Sequence, residues 1–342
     1  AKQGLTSPER AVLLAYSKMA LFDELLASDL IDDDYIAQSL ITYFPTALQE
    51  KFSAVMSKHP LKREIIATEI ANSTINRTGS VFVHRMQEET GATAPEVVRC
   101  YVLTRDVFGI QTAWNAIDAL DNQVPASIQN EMLIDVGRLV LRATLWFLRR
   151  RAVKMPIAQV LAFFAPGVAT VSQALPGLLS AGDKAAIEET EHQLVARGVP
   201  TALAAQVARM DALYSILDIV ETSHEMGRAV ELAAAVYFAL GGKLRLRWAA
   251  AKIAALPVDT HWQAMARAAM RDDLANLQRQ LTHSVLQHSP TLSDAPALLT
   301  AWEQHQQKAL ERTYEVMNDL NAARECDLAM LSVLLRELRV LV

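Results

Sequence analysis

At 342 residues the chain exceeds the roughly 250–300 at which a single hydrophobic core stops growing, so two lobes or two domains are expected. Glycine and proline number only 12 each, well short of their usual combined share of about 12%, which excludes a turn-rich β fold, a collagen-like repeat and a disordered linker. Apolar residues are 51% and aromatics 6%, and the net charge of −5 gives no overall attraction to a phosphate backbone.

Thr6-Ser7-Pro8-Glu9 is a capping box that opens a helix running to about residue 27. Val12, Leu13, Tyr16, Met19, Ala20 and Leu26 recur along it at three- and four-residue steps, which puts them on one face. The acidic turn 29–34 lacks the glycine and terminal glutamate of a calcium loop and reads as a solvated connection. Prolines open helices over 45–58 and 60–78, with Gly79 and Gly91 as left-handed caps on either side of 80–90. Helices over 95–108, 110–120 and 126–151 follow, the last long enough to act as a spine. Residues 155–182 carry no charge and would span a bilayer if helical throughout. Pro156, Pro166 and Pro176 interrupt them, so two short buried helices, 157–165 and 168–175, are expected instead. Further helices are predicted over 183–197, 200–210, 212–225, 229–240, 244–256, 259–286, 295–320 and 325–342. The last is so apolar, with Leu328, Leu331, Leu334, Leu335, Leu338 and Leu341, that it must be covered. No strand-period alternation and no fixed repeat appear. The fold class is therefore all-α: a multi-helix bundle, expected as two packed lobes, 1–151 and 152–342, with no β-sheet.

Motifs that carry chemistry are scarce. Gly241-Gly242-Lys243 lacks the first glycine and the preceding strand of a phosphate loop and reads as a helix cap. Glu221 and His224 have metal-ligand spacing, but no second Glu-x-x-His completes a di-iron site. His84 with Glu88 and Glu188 with His192 fit surface helix pairs. Cys100 lies among valines and reads as a core thiol. With Cys326 it makes two cysteines, too few for a disulfide framework and without zinc spacing, which fits a reducing cytoplasm. The cluster Arg149-Arg150-Arg151 with Lys154 suits the end of the long helix, where cations complement the dipole. Lys243, Arg245, Arg247 and Lys252 beside Trp248 leave two readings open, an anion or partner contact and an ordinary helix face. Glu64, Thr68, Asn72 and Asn76, ending in Arg77, form a polar ladder that fits a solvated face, a hydrogen-bonded seam or a docking edge.

Several long strings resemble a known family. GLTSPERAVLLAYSK (4–18), KREIIATEIANSTINRTG (62–79), FVHRMQEETGA (82–92) and IDALDNQVP (117–125) resemble the C-terminal helical region of the large bacterial NAD-specific glutamate dehydrogenases. So do DIVETSHEMGR (218–228), VYFALGGKL (236–244), WQAMARAAMRDDL (262–274) and DLAMLSVLLRELRVLV (327–342). The resemblance spans residues 1–342, and the chain, which starts with Ala, reads as a piece of something longer. It implies a parent enzyme that oxidises L-glutamate to 2-oxoglutarate and ammonium with NAD as acceptor, its regulatory modules, catalytic lysines and dinucleotide fingerprint lying upstream. No catalytic, cofactor-binding or metal residue carries over, so no cofactor is expected in this chain and the piece alone should not turn over.

The expected role is a structural and regulatory module. Its partners would be the catalytic core of the same polypeptide and other subunits of a homo-oligomer, with no nucleic acid and no membrane. An amino-acid or anion sensor at Lys243, Arg245, Arg247 and Trp248 is the alternative, and a helical nucleic-acid-binding module around 211–252 a weaker one.

Overall fold

The computed structural model describes residues 4–150, 154–289, 291–323 and 326–342. The elements are α1 (Ser7–Leu26), two 3-10 turns (Leu30–Asp32 and Ile36–Gln38), α2 (Ser39–Tyr43), α3 (Thr46–Met56), α4 (Lys62–Thr78), α5 (Phe82–Thr90), α6 (Ala94–Val107), α7 (Ile110–Asp118) and α8 (Ala126–Arg149). They continue as α9 (Ile157–Leu178), α10 (Ala181–Ala196), α11 (Thr201–Ala208), α12 (Met210–Leu213), α13 (Ile216–Met226) and α14 (Val230–Lys243). The last five are α15 (Leu246–Ala254), α16 (His261–His288), α17 (Ala295–His305), α18 (Gln307–Ala322) and α19 (Leu328–Val340). The fold is all-α, with no strand among the described residues.

The chain forms two compact units, one reaching to Pro166 and including Thr190–Tyr214, the other made of Gly167–Glu189 and Ser215–Val342. The lobe boundary expected at 151/152 falls on residues outside those described. So does Arg151 of the basic cluster, and so does Glu325, the expected first residue of the last helix.

In the first unit α6 is almost wholly buried and packs on α8. Thr93 and Glu96 close a capping box at its start, satisfying amides that the helix cannot. Tyr101 of α6 stacks on Trp114 (centroids 6.4 Å, 23°) and meets the edge of Phe82. Trp146, Phe147 and Phe164 form a mutually edge-on cluster with centroids 5.3–5.5 Å apart. In the second unit α16 is the spine, packed by α13, α14, α15, α17 and α19 through Leu274, Leu277, Leu281 and Val285. Of the leucines expected to be covered, Leu331, Leu334, Leu335, Leu338 and Leu341 are buried, while Leu328 at the first position of α19 is 40% exposed.

The stripe of α1 lies on one face as expected, and that face points outward. Leu21 and Leu25 on the opposite side take the packing on α4, while Val12, Leu13, Tyr16 and Met19 are exposed. The structure also corrects several local expectations. The turn 29–34 is not simply solvated, since Leu30 and Ile31 are buried, Asp32 pairs with Arg63, and Asp33 lies 3.6 Å from Arg99. Gly91 caps α5 in the left-handed region (φ 71°), whereas Gly79 combines φ 87° with ψ 168°, a mirror-extended conformation open in practice to glycine alone.

Residues 157–178 form one helix where two were expected. An interior proline costs about 3 kcal/mol. Against this, Ile157, Val160, Phe164, Val168, Val171 and Leu175 are all buried at helical spacing, and each such side chain contributes about 1.5–3 kcal/mol, so tertiary burial keeps the helix going. By length and composition α9 is the one helix among the described residues that could cross a membrane. Conversely, the expected helix 295–320 breaks at Gln306 into α17 and α18, and 212–225 yields to a break between α12 and α13. Gly241 and Gly242 lie inside α14 and do not cap it.

Candidate functional site

The basic cluster sits where α14 turns into α15. Leu244 and Leu246 are both buried, and Arg245 between them holds φ 48°, a left-handed conformation that reverses the chain between two helices. Such a residue costs on the order of 1–3 kcal/mol, sustained here by burying a leucine on each side. The alternation leaves Lys243, Arg245 and Arg247 exposed. Lys243 Nζ donates to Glu303 of α17, Arg247 Nη1 donates to Asp183 Oδ1 at 2.8 Å, and Lys252 Nζ lies 5.9 Å from the Trp248 ring centroid. Burial raises the Tyr314 phenol, the Glu303 charge adds to it, and Lys243 and Arg245 oppose. Lys243 and Arg247 already face carboxylates, and these two pairs tie α14 to α17 and α15 to α10.

The α4 ladder does not converge on a site. Thr68 turns its hydroxyl back to the Glu64 carbonyl at 2.7 Å, Asn76 is exposed, and Glu64 and Asn72 are half-buried. Arg77 reaches another element, forking onto Asp118 (Nη2 to Oδ2 2.7 Å, Nη1 to Oδ1 3.3 Å) with its guanidinium 5.1 Å from the Trp114 ring centroid. The seam from α4 to α6 is made by a neighbour on the helix, Ser73, whose carbonyl accepts from Tyr101 Oη at 3.1 Å. The ladder belongs to the first unit and the basic cluster to the second.

Other marked residues are equally spent on structure. Arg279 Nη1 lies 3.7 Å from Glu221 and 3.6 Å from Glu225, so the Glu221 carboxylate faces a guanidinium. Among the described residues no three His, Cys, Asp or Glu side chains gather as a metal site. Burial pushes the Cys100 thiol far above its ordinary value and outweighs Arg99. His84 and Glu88 form the expected surface pair at 3.3 Å, and Arg150 lies 5.4 Å from the Trp146 ring centroid at the end of α8.

Two polar centres are new. Arg105 forks onto its neighbour Asp106 (2.7 and 2.8 Å), and Tyr35 donates to Asp106 Oδ2 at 2.9 Å. Burial first and the Asp106 charge second push Tyr35 up to about 12. On α19 the buried Glu337 accepts from Arg336 Nη2 (2.9 Å) and meets Arg312 Nε (2.8 Å). The Arg336 hydrogen bond, then that of Arg312, holds the carboxyl below its ordinary value. Glu337 was findable, since it interrupts the leucine face of 331, 334, 338 and 341. No spacing rule points to Arg105 and Asp106.

Nor do the described residues fit a dinucleotide. There is no parallel sheet with a strand-to-helix glycine turn. The amides of Gly241 and Gly242 lie within α14, and a Cβ on Gly241 would fall 2.8 Å from Gln278 Nε2. That amide donates to the Tyr237 carbonyl at 3.1 Å, so Gly241 lets α16 approach α14 closely.

These features define a class: an all-helical domain in which several charged side chains tie helix to helix. A sequence model of the family described as "Glutamate dehydrogenase, C-terminal" matches residues 2–340, and the chain belongs to that family. It is 41% identical over 338 residues to the NAD-specific glutamate dehydrogenase of Pseudomonas aeruginosa, covering 99% of this chain and 21% of the relative. Identities to the NAD-specific glutamate dehydrogenases of Halomonas elongata and Mycobacterium tuberculosis are 34% and 33% over 336 residues, 98% of this chain and 21% of each relative. The chain thus spans about a fifth of the length of these curated relatives and is their C-terminal part.

Proposed function

We propose that this chain is the non-catalytic structural and regulatory domain at the C-terminal end of an NAD-dependent glutamate dehydrogenase, a cytoplasmic bacterial enzyme. The parent reaction removes a hydride from L-glutamate to NAD and releases 2-oxoglutarate and ammonium. NAD and the reacting residues are assigned to the part of the polypeptide outside this chain. The domain's partners are that catalytic core and the other subunits of a homo-oligomer, with neither nucleic acid nor membrane among them. One observation carries the reading: the family match runs from residue 2 to 340, while the chain covers 21% of the length of each relative.

The direct test is NADH formation by the isolated chain with glutamate and NAD. None is expected above a protein-free control, and sustained turnover overturns the proposal. The sensing alternative at Lys243, Arg245, Arg247 and Trp248 draws its support from their exposure and clustering. Calorimetric titration with amino acids and nucleotides separates it. Heat that disappears in Arg247→Ala supports sensing, and no heat in wild type discards it.

A further inference from the structure

We infer that the outward stripe of α1 is the surface on which this domain seats the preceding part of its own polypeptide. The inference rests on the proposed role as a C-terminal domain and adds to it a surface and an occupant.

The helix is apolar on two opposite sides. Leu21 and Leu25 bury against α4, and the last turn is anchored, since Arg63 Nη2 donates to the Leu26 and Ser28 carbonyls at 2.9 and 3.1 Å. The other side, from Leu5 through Val12, Leu13, Tyr16 and Met19, stands in water, with Val12 56%, Tyr16 66% and Met19 60% exposed. These positions keep three- and four-residue steps, the spacing of a helix face made to be covered. Leu5, Pro8, Glu9, Val12, Leu13 and Tyr16 line a shallow apolar groove of about 550 Å³ along it. A helix apolar on both sides is a buried helix, so one layer of its surroundings lies outside this chain.

Position and size select the occupant. The matched segment is 21% of each relative and belongs to the C-terminal family, so in those relatives the bulk of the chain precedes it. The stripe occupies the first helix, at the end where that chain arrives. A free-standing interface between separate molecules takes about 20–30 residues a side, several times what one helix face offers, which disfavours a second copy held by this surface alone. A partner tethered at residue 1 acts at roughly millimolar effective concentration and needs far less. The occupant is therefore an apolar face of the upstream polypeptide, folded back onto α1.

The test uses the full-length enzyme with Tyr16 replaced by p-benzoylphenylalanine, assembled from mixed heavy- and light-isotope subunits, irradiated and mapped by mass spectrometry. Cross-links to peptides upstream of residue 1, pairing within one isotope label, are expected at ten-fold or more over the same probe at the exposed Asn130. Cross-links that pair heavy with light, that stay within residues 1–342, or that do not exceed the Asn130 control overturn the inference. In parallel, Val12→Glu with Tyr16→Glu is expected to speed proteolysis within residues 5–27 of the full-length enzyme about ten-fold at unchanged helix content, and an unchanged rate counts against it. Failure here leaves the non-catalytic role standing, because that role is read by NADH formation and not by cross-linking.

Discussion

Gly167 is a residue whose necessity lies entirely in its neighbour. A Cβ there would fall 2.7 Å from Val220 Cγ2, a β-branched side chain with little rotamer freedom. Gly167→Ala is therefore expected to destabilise by about 1–2 kcal/mol, as overpacking outweighs the roughly 1 kcal/mol gain in helix propensity. Adding Val220→Ala should recover part of the loss in a double-mutant cycle read by denaturant unfolding. Tyr35 makes the pH-dependent case. Its phenol is raised to about 12 in the fold against an ordinary 10, so the unfolded chain loses this proton first. Stability from Tyr35 is complete below pH 10 and falls as pH rises towards 12. Tyr35→Phe should remove a late-titrating phenol from the alkaline absorbance titration and cost about 1 kcal/mol at neutral pH through the lost hydrogen bond. Glu337 has the opposite sign. Its carboxyl is held below the ordinary 4.5, so its contribution is present above that pH and disappears as pH falls through the depressed value. Glu337→Gln should lower the denaturation midpoint at pH 7 and match wild type in strong acid.

At the level of elements, what was legible in the sequence is what is decided locally. The Thr6 capping box needs only Thr6, Glu9 and the amides between them, and it stands as expected. The charge-free stretch 155–182 shows why other elements were not legible. Pro166 and Pro176 are local helix breakers, and only the covered positions from Ile157 to Leu175 keep α9 whole. The reverse holds at Gln306, where nothing in the periodicity of 295–320 marks the break between α17 and α18. Periodicity also finds a stripe without saying which way it faces, and the α1 stripe is exposed. The candidate cations were legible as a cluster, but their carboxylate partners, Glu303 and Asp183, lie about 60 residues away in sequence and could not be paired with them. Surface pairs of this kind are worth at most about 1 kcal/mol each. Arg247→Ala is accordingly expected to shift the unfolding free energy by less than about 1 kcal/mol, measured by denaturant unfolding.

For the molecule as a whole, the proposed role is to lend an enzyme shape and not reacting groups. Its exposed side chains with chemical capability, His224, Lys243 and Arg247, should then be replaceable in the full-length glutamate dehydrogenase with little effect on turnover. The measurement is steady-state kcat for NAD reduction by glutamate in His224→Ala, Lys243→Ala and Arg247→Ala full-length variants, each checked for intact assembly. Changes of less than about three-fold are expected. A folded variant that loses on the order of 10³-fold, the scale of a missing catalytic group, would overturn the non-catalytic role.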